Sequence, residues 1–243
     1  MRLSEQTLQV QRAVTETRQR VSDLHAELPR NELVVWTAGN VSERVPGVDL
    51  FVIKPSGVAY DELSPDVMVV CTLDGDKIAD DGTPAALVPS SDTAAHAYVY
   101  RHRPDVGGVV HTHSTYATAW AARGEEIPCV LTMMADEFGG PVPLGPFAII
   151  GDDSIGRGIV DTLAGSRSPA VLMQNHGPFT VGTDARAAVK AAVMVEEVAR
   201  TVHIARQLGE PVAIEQRHID SLYDRYQNVY GQGAPAPGDE GAR

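Results

Sequence analysis

Gly107-Gly108-Val109-Val110-His111-Thr112-His113-Ser114 reads as a strand that ends in a pair of histidines. In an extended chain residues i and i+2 share a face, so His111 and His113 project side by side. That is the geometry one divalent cation needs from two of its ligands. A second apolar run, Ala170-Val171-Leu172-Met173, leads through Gln174-Asn175 to His176-Gly177. Three histidines with one coordination position left open make the usual catalytic zinc arrangement. A lone histidine at a strand end is more often a hydrogen-bonded structural residue, so the pair gains its weight from the polar features around it.

Outward from these strands the pattern mixes the two periods. Apolar residues near helical spacing predict an amphipathic helix over residues 1–28. Short strands are expected at 33–37, 50–53, 68–72 and 106–112, with further strands at 170–174 and 179–181. Residues 127–133 read as extended. Helices are expected over about 92–103, 116–123, 152–163, 184–208 and 214–226, and Ser64-Pro65-Asp66 opens a helical turn. The tail from Gly231 reads as disordered. Strict βαβ alternation is missing, which favours a central, largely antiparallel or mixed sheet between helical layers.

The 243 residues suffice for one large α/β domain, and no break in composition divides them. No apolar stretch approaches membrane-spanning length. The opening Met1-Arg-Leu-Ser-Glu-Gln6 lacks the pattern of a signal peptide. Only Cys71 and Cys129 are present, both in apolar runs. A reducing, cytoplasmic setting is therefore expected. A net charge of -12 and 5% aromatic residues argue against a nucleic-acid surface. They are compatible with a small phosphorylated ligand held by backbone amides and hydroxyls.

Three loops look built for such an anion: Gly39-Asn40, Ser56-Gly57 and Ser90-Ser91, the last at a helix N-terminus. Each alone reads equally well as a turn. Lys54 could add a point charge or be an ordinary solvated lysine. Asp92 is expected to favour the helix dipole, and functionally to ligate the metal or its water. His96, one turn later, reads as a structural partner and not a ligand. His25, His102 and His203 read as surface residues. Gly151-Asp-Asp-Ser-Ile-Gly156 lacks phosphate-loop spacing.

Taken in order, Thr37-x-Gly-Asn-Val-Ser42, Lys54-Pro-Ser-Gly57, Pro89-Ser-Ser-Asp-Thr93, Gly108-Val-Val-His-Thr-His-Ser114 and Asn175-His-Gly177 resemble the class II aldolase and L-ribulose-5-phosphate 4-epimerase family. The resemblance covers roughly residues 5–232. It implies a single-domain α/β/α layered fold over 1–232, with a central, mainly antiparallel nine-stranded sheet and a tail at 233–243. It implies a homotetramer with sites at subunit interfaces and one divalent metal per subunit, Zn2+ first, with Mn2+ or Co2+ as alternatives. His111, His113 and His176 would hold the metal. Gly39, Asn40, Ser56, Gly57, Ser90 and Ser91 would hold the substrate phosphate.

Two features of the resemblance favour the epimerase branch. Asp92 stands where sugar aldolases carry glutamate, and Tyr230-Gly231-Gln232 matches the epimerase ending. Tyr230 is an acid/base residue in the family. Its partner there is the aspartate of a His-Ala-Asp segment, which reads Met134-Ala135-Asp136 here. His218 lies near a C-terminal histidine of the epimerases. The loop Gly139–Pro146 looks like the shorter aldolase version. The expected activity is interconversion of L-ribulose 5-phosphate and D-xylulose 5-phosphate by retro-aldol and aldol steps. The alternative is a sugar-phosphate aldolase of the L-fuculose-1-phosphate type. More distant are a methylthioribulose-phosphate dehydratase and a non-catalytic binding scaffold.

Overall fold

The computed structural model describes residues 2–229; the Tyr230-Gly231-Gln232 ending and the expected tail at 233–243 lie outside them. The first long helix, α1 (Leu8–His25), starts at Thr7, whose side chain accepts from the Val10 N–H. Its buried positions Val14, Thr17, Val21 and His25 recur every three to four residues and form one stripe. A short α2 (Glu27–Arg30) then turns the chain toward the sheet.

Seven strands among the described residues make one sheet: β1 (Asn40–Arg44), β2 (Leu50–Ile53), β3 (Val69–Thr72), β4 (Gly108–His111), β5 (Leu144–Gly145), β6 (Ala170–Met173) and β7 (Gly177–Gly182). The order is β3-β2-β1-β4-β7-β6-β5. The sheet is mixed, with β5 pairing β6 in parallel and the other pairs antiparallel. The histidine-bearing strand β4 is therefore its centre. The helices are α3 (Thr93–His102), α4 (Thr115–Arg123), α5 (Thr132–Phe138), α6 (Ser154–Leu163), α7 (Ala185–Leu208) and α8 (Gln216–Asn228).

Both faces of the sheet are covered, and alternation along each strand decides which side chain meets which helix. Phe51 and Ile53 of β2 pack with Ala95 and Val99 of α3, while Leu50 and Val52 pack with Val14 and Val21 of α1. On β4, Val109 faces α3 and α6, and Val110 meets Ala188 and Ala192 of α7. Burying each large apolar side chain contributes roughly 1.5–3 kcal/mol. Because both faces are dry, β2, β3 and β6 read as near-continuous apolar runs rather than alternating ones.

The expected nine strands are corrected to seven, and the sheet is mixed. Proline limits the ladder: Pro55 pairs with Pro89, and Ile127 with Val142, only as isolated bridges. A proline cannot donate to a ladder, so the first contact stops at Pro55 and Pro89, and the second is bounded by Pro128, Pro141 and Pro143 on either side of the bridged pair. The strand expected at 33–37 is also absent. Val35 and Trp36 are exposed there, Trp36 is left-handed at φ 58, and Ala38 N–H closes a turn on Val35 O. Residues 127–133 hold one bridge and then enter α5, which buries Met134, Ala135 and Phe138. A short buried helix and a buried strand give the same apolar run.

His25 is corrected too. It is 1% exposed, not a surface residue. Its Nδ1–H donates to Val21 O at 2.6 Å, and its Nε2 accepts the Val41 N–H at 3.0 Å, which ties α1 to β1. Burial pushes its pKa down from 6.5 to about 3, with the Lys54 charge adding to the shift. The unfolded chain takes up this proton first. The contribution is therefore intact above pH 6.5 and is lost as pH falls toward 3, at about 1.4 kcal/mol per pH unit. Denaturant midpoints should fall between pH 6.5 and 5. In His25→Gln that slope should shrink by about one proton's worth; an unchanged slope would overturn the assignment. Among the described residues no helix is long and apolar enough to cross a membrane.

Candidate metal centre and anion cavity

Register brings the site together. Asn40 stands opposite His111 in the β1–β4 pairing, so the loop leading into β1 reaches the end of the sheet where the histidines lie. On the other side β7 pairs Phe179 with His111. The hairpin between β6 and β7 carries His176. Asn175 makes that turn at φ 58, a conformation asparagine tolerates. Its N–H donates to Ala121 O at 3.0 Å, and the His176 N–H to Met173 O at 3.0 Å. A Cβ on Gly177 would lie 2.7 Å from Thr112 O, so glycine lets the hairpin approach the His111–His113 segment.

The ligating nitrogens of His111, His113 and His176 all lie within 4.8 Å of one another. His111 Nε2 and His113 Nε2 are 2.9 Å apart. Two nitrogens on one tetrahedral zinc stand about 3.3 Å apart, so little movement is needed to load the site. His111 stacks on Phe179 with ring centroids 4.0 Å apart. Its Nδ1 lies 3.0 Å from Pro178 O. A carbonyl only accepts, so Nδ1 carries the proton and Nε2 offers its lone pair.

All three imidazoles are held below their ordinary pKa, mainly by burial. His111 lies well below it, with His176 and His113 adding to the shift; Asp92 opposes it at His113 and His176. Neutral imidazoles are the form that binds metal. Exposure rises from buried His111 to exposed His113, which leaves the centre open on one side. Asp92 Oδ1 and Asn40 Oδ1 are buried without a partner among the described residues. Imidazoles with a carboxylate at hand fit a divalent cation such as zinc, manganese or cobalt.

A cavity of about 260 Å³ opens onto the triad. Its wall contains Gly39, Asn40, Lys54, Ser56, Gly57, Ser90, Ser91 and Asp92, along with all three histidines. The three loops are joined directly. Ser56 N–H donates to Val88 O at 2.9 Å, and Ser90 N–H to Lys54 O at 3.0 Å. Asn40 Nδ2 donates to Ser90 Oγ at 3.0 Å and to Asp92 Oδ2 at 2.7 Å. Gly39 is left-handed at φ 78, and a Cβ there would lie 2.6 Å from Val34 Cγ1. Asp92 stands at the N-cap of α3 without a side-chain cap hydrogen bond; its carboxylate accepts from Asn40 instead.

Lys54 is not a solvated lysine. It is 2% exposed. Its Nζ donates to Thr37 O at 3.1 Å and Pro55 O at 3.3 Å and lies 5.4 Å from the Tyr60 ring centre. It makes no ion pair among the described residues, and burial lowers its pKa. A buried ammonium without a counter-charge favours an anion beside it.

Asp136 lies elsewhere. It sits on α5, which packs against α8, and it is not on the cavity wall. Its Oδ1 is buried without a partner among the described residues, and Gln227 Nε2 donates to its carbonyl at 3.4 Å. His218, on α8, lines a separate groove with Thr132. Tyr230 is outside the described residues. The sequence reading missed Ile150, which lines the cavity from the Ala148-Ile149-Ile150 run; an apolar residue in an apolar run carries no signal.

The profile of the family described as Class II Aldolase and Adducin N-terminal domain matches residues 19–203. Among solved structures, an L-fuculose 1-phosphate aldolase superposes with a TM-score of 0.79 at 25% identity, covering 87% of this chain and 96% of that one. YgbL from Klebsiella pneumoniae, for which aldolase, epimerase and decarboxylase activities are all named as candidates, superposes at 0.72 with 29% identity, covering 86% and 98%. An aldolase II superfamily protein from Pseudomonas syringae shares the fold at 0.74 and 20% identity, covering 95% and 90%.

Proposed function

The chain belongs to the class II aldolase family, and from that premise we propose that it is a divalent-metal enzyme of phosphorylated ketoses that breaks and makes a carbon–carbon bond near the ketone. One observation carries the reading: a single cavity joins three neutral imidazoles to the buried, unpaired Lys54 and three interlinked loops. A cation site and an anion site in one small cavity match a sugar that carries both an oxygen-rich head and a phosphate. His111, His113 and His176 would hold the divalent cation, which would supply Lewis-acid stabilisation of charge on the ketone oxygen. Lys54, Ser56, Gly57, Ser90 and Ser91 hold the phosphate, and Gly39 lets the backbone come close. Asn40 fixes the Asp92 carboxylate through Oδ2 on the wall of the same cavity.

Asp92 and the Tyr230-Gly231-Gln232 ending support the finer reading, 4-epimerisation of L-ribulose 5-phosphate in a homotetramer whose sites Tyr230 completes from a neighbour; Asp136, off the cavity of its own chain, supports it only through the sequence resemblance. Inversion of a carbon without an acidic hydrogen needs the aldehyde fragment to stay bound and turn, with an acid/base group on each side. Aldol cleavage of the L-fuculose 1-phosphate type is the second reading. The short Gly139–Pro146 loop and the similarity to fuculose-phosphate aldolases favour it. Product analysis with both substrates in parallel separates them. The expected result is D-xylulose 5-phosphate from L-ribulose 5-phosphate. Efficient cleavage of fuculose phosphate with ribulose phosphate left unchanged would replace the first reading by the second.

Ser91→Ala should raise the KM for the phosphosugar by about 10- to 100-fold, because a hydrogen bond to a charged group contributes roughly 1.5–3 kcal/mol. Metal content should not move. An unchanged KM would remove Ser91 from the phosphate site.

A further inference from the structure

We propose that His96 is a positioning residue for Asp92, held in the Nε2–H form by a hydrogen-bonded chain from Tyr100 through Ser42 so that its free N–H serves the carboxylate. The proposal rests on the functional reading only for what Asp92 does; the arrangement itself stands on the fold.

His96 is 0% exposed and lies one helical turn after Asp92, with its N–H on Asp92 O at 3.0 Å. Residues four apart share a helix face. The His96 Nδ1 lies 2.7 Å from Ser42 Oγ on β1, and Ser42 Oγ lies 2.7 Å from the Tyr100 OH. The direction of this chain is decided by what each choice leaves over. If Tyr100 donates to Ser42 and Ser42 donates to Nδ1, every hydroxyl proton has an acceptor. In the reverse direction the buried Tyr100 proton has none, and a lone pair on Nε2 faces the negative side of the site. An orphaned buried donor costs roughly 1–3 kcal/mol. The first direction leaves the His96 Nε2–H over instead, but Asp92 Oδ1 on the same helix face is a buried acceptor without a partner, so that donor has a group to serve and the Tyr100 proton has none.

That direction places the proton on Nε2, which is buried without a partner. Asp92 Oδ1 is also buried without a partner. The two unpaired groups are a donor and an acceptor on one helix face. The proposed arrangement needs a turn of the carboxylate or one buried water to join them. Asn40 already holds the other oxygen, Oδ2, at 2.7 Å. With both oxygens held, the carboxylate keeps one plane relative to the triad.

Two measurements test this on the full chain. First, a two-bond proton–nitrogen correlation spectrum of the metal-free protein at neutral pH should show His96 in the Nε2–H form. An Nδ1–H form overturns the proposal, whether or not the enzyme turns over any phosphosugar. Ser42→Ala should shift the ring toward a mixture of forms; an unshifted ring also counts against it. Second, His96→Gln places an amide donor near the Nε2 position, whereas His96→Asn places one near Nδ1 that does not reach Asp92. His96→Asn should lower kcat about tenfold with KM and metal content within about twofold, and His96→Gln should recover most of kcat. Equal losses in the two variants would mean a merely structural histidine. If the wild type is inactive on phosphosugars, the functional reading fails while the ring spectrum still decides the tautomer. If the variants do not fold, the spectrum of the wild type decides alone.

Discussion

Replacing His111 by alanine is expected to empty the metal centre and to lower turnover by about 10³-fold or more, since Lewis-acid stabilisation supplies several kcal/mol of the barrier reduction. His111 is the buried anchor of the triad. Its ring is held by the Phe179 stack and the Pro178 carbonyl, so its lone pair is aimed before any metal arrives. His113 is exposed and His176 half-buried, so their side chains are less constrained. Elemental analysis of His111→Ala should find little bound metal, and added Zn2+ should no longer raise the thermal midpoint. In the wild type, metal at 100 times its Kd should add about 2.7 kcal/mol of stability. Full metal occupancy in the variant would overturn the centre. His111→Asn serves as a second variant that keeps a polar group beneath Phe179.

Gly108→Ala is expected to be the most damaging small substitution in the sheet. The added Cβ would lie 2.3 Å from Asp184 O and 2.4 Å from both Asp184 C and Ala185 N. These are backbone atoms at the start of α7, so no side chain can swing aside. Either β4 leaves the helix or α7 shifts, and His111 lies three residues along the same strand. The expected loss is about 3 kcal/mol or more, or failure to accumulate soluble protein. Gly140→Ala is the control, because its Cβ would meet nothing within 4 Å. Denaturant unfolding of the pair decides the matter; equal midpoints would show that the close packing of β4 on α7 is not what the geometry indicates.

The strand at Gly108–His111 was readable because a buried strand announces itself locally, through an apolar run ending in polar residues. The long helix α7 was readable because Ala188, Val189, Ala192 and Val195 repeat with the helical period. The triad and the three loops were readable because each ends a local element and carries its own chemistry. The strand count was not, since whether Pro55 and Pro89 extend a ladder depends on the partner each meets. The helix α5 was missed because a buried helix of two turns hides in the same apolar run as a strand.

By itself, then, the sequence determined the layered α/β class, the histidine pair on one face and the set of candidate ligands, because periodicity and spacing are properties of neighbouring residues. Only the tertiary structure decided what state those polar groups are in. Lys54 is buried without a counter-charge because Thr37 and Tyr60 close over it from other segments. His25 is buried because Val41 arrives from β1 to fill its second nitrogen. The Asp92 carboxylate is held by Asn40, fifty-two residues earlier, and not by the N–H groups of its own helix. Asp136 lies off the cavity of its own chain because α5 packs against α8. The charge and hydrogen-bonding of a buried group depend on what distant parts of the chain bring against it, and that is settled only when the chain folds.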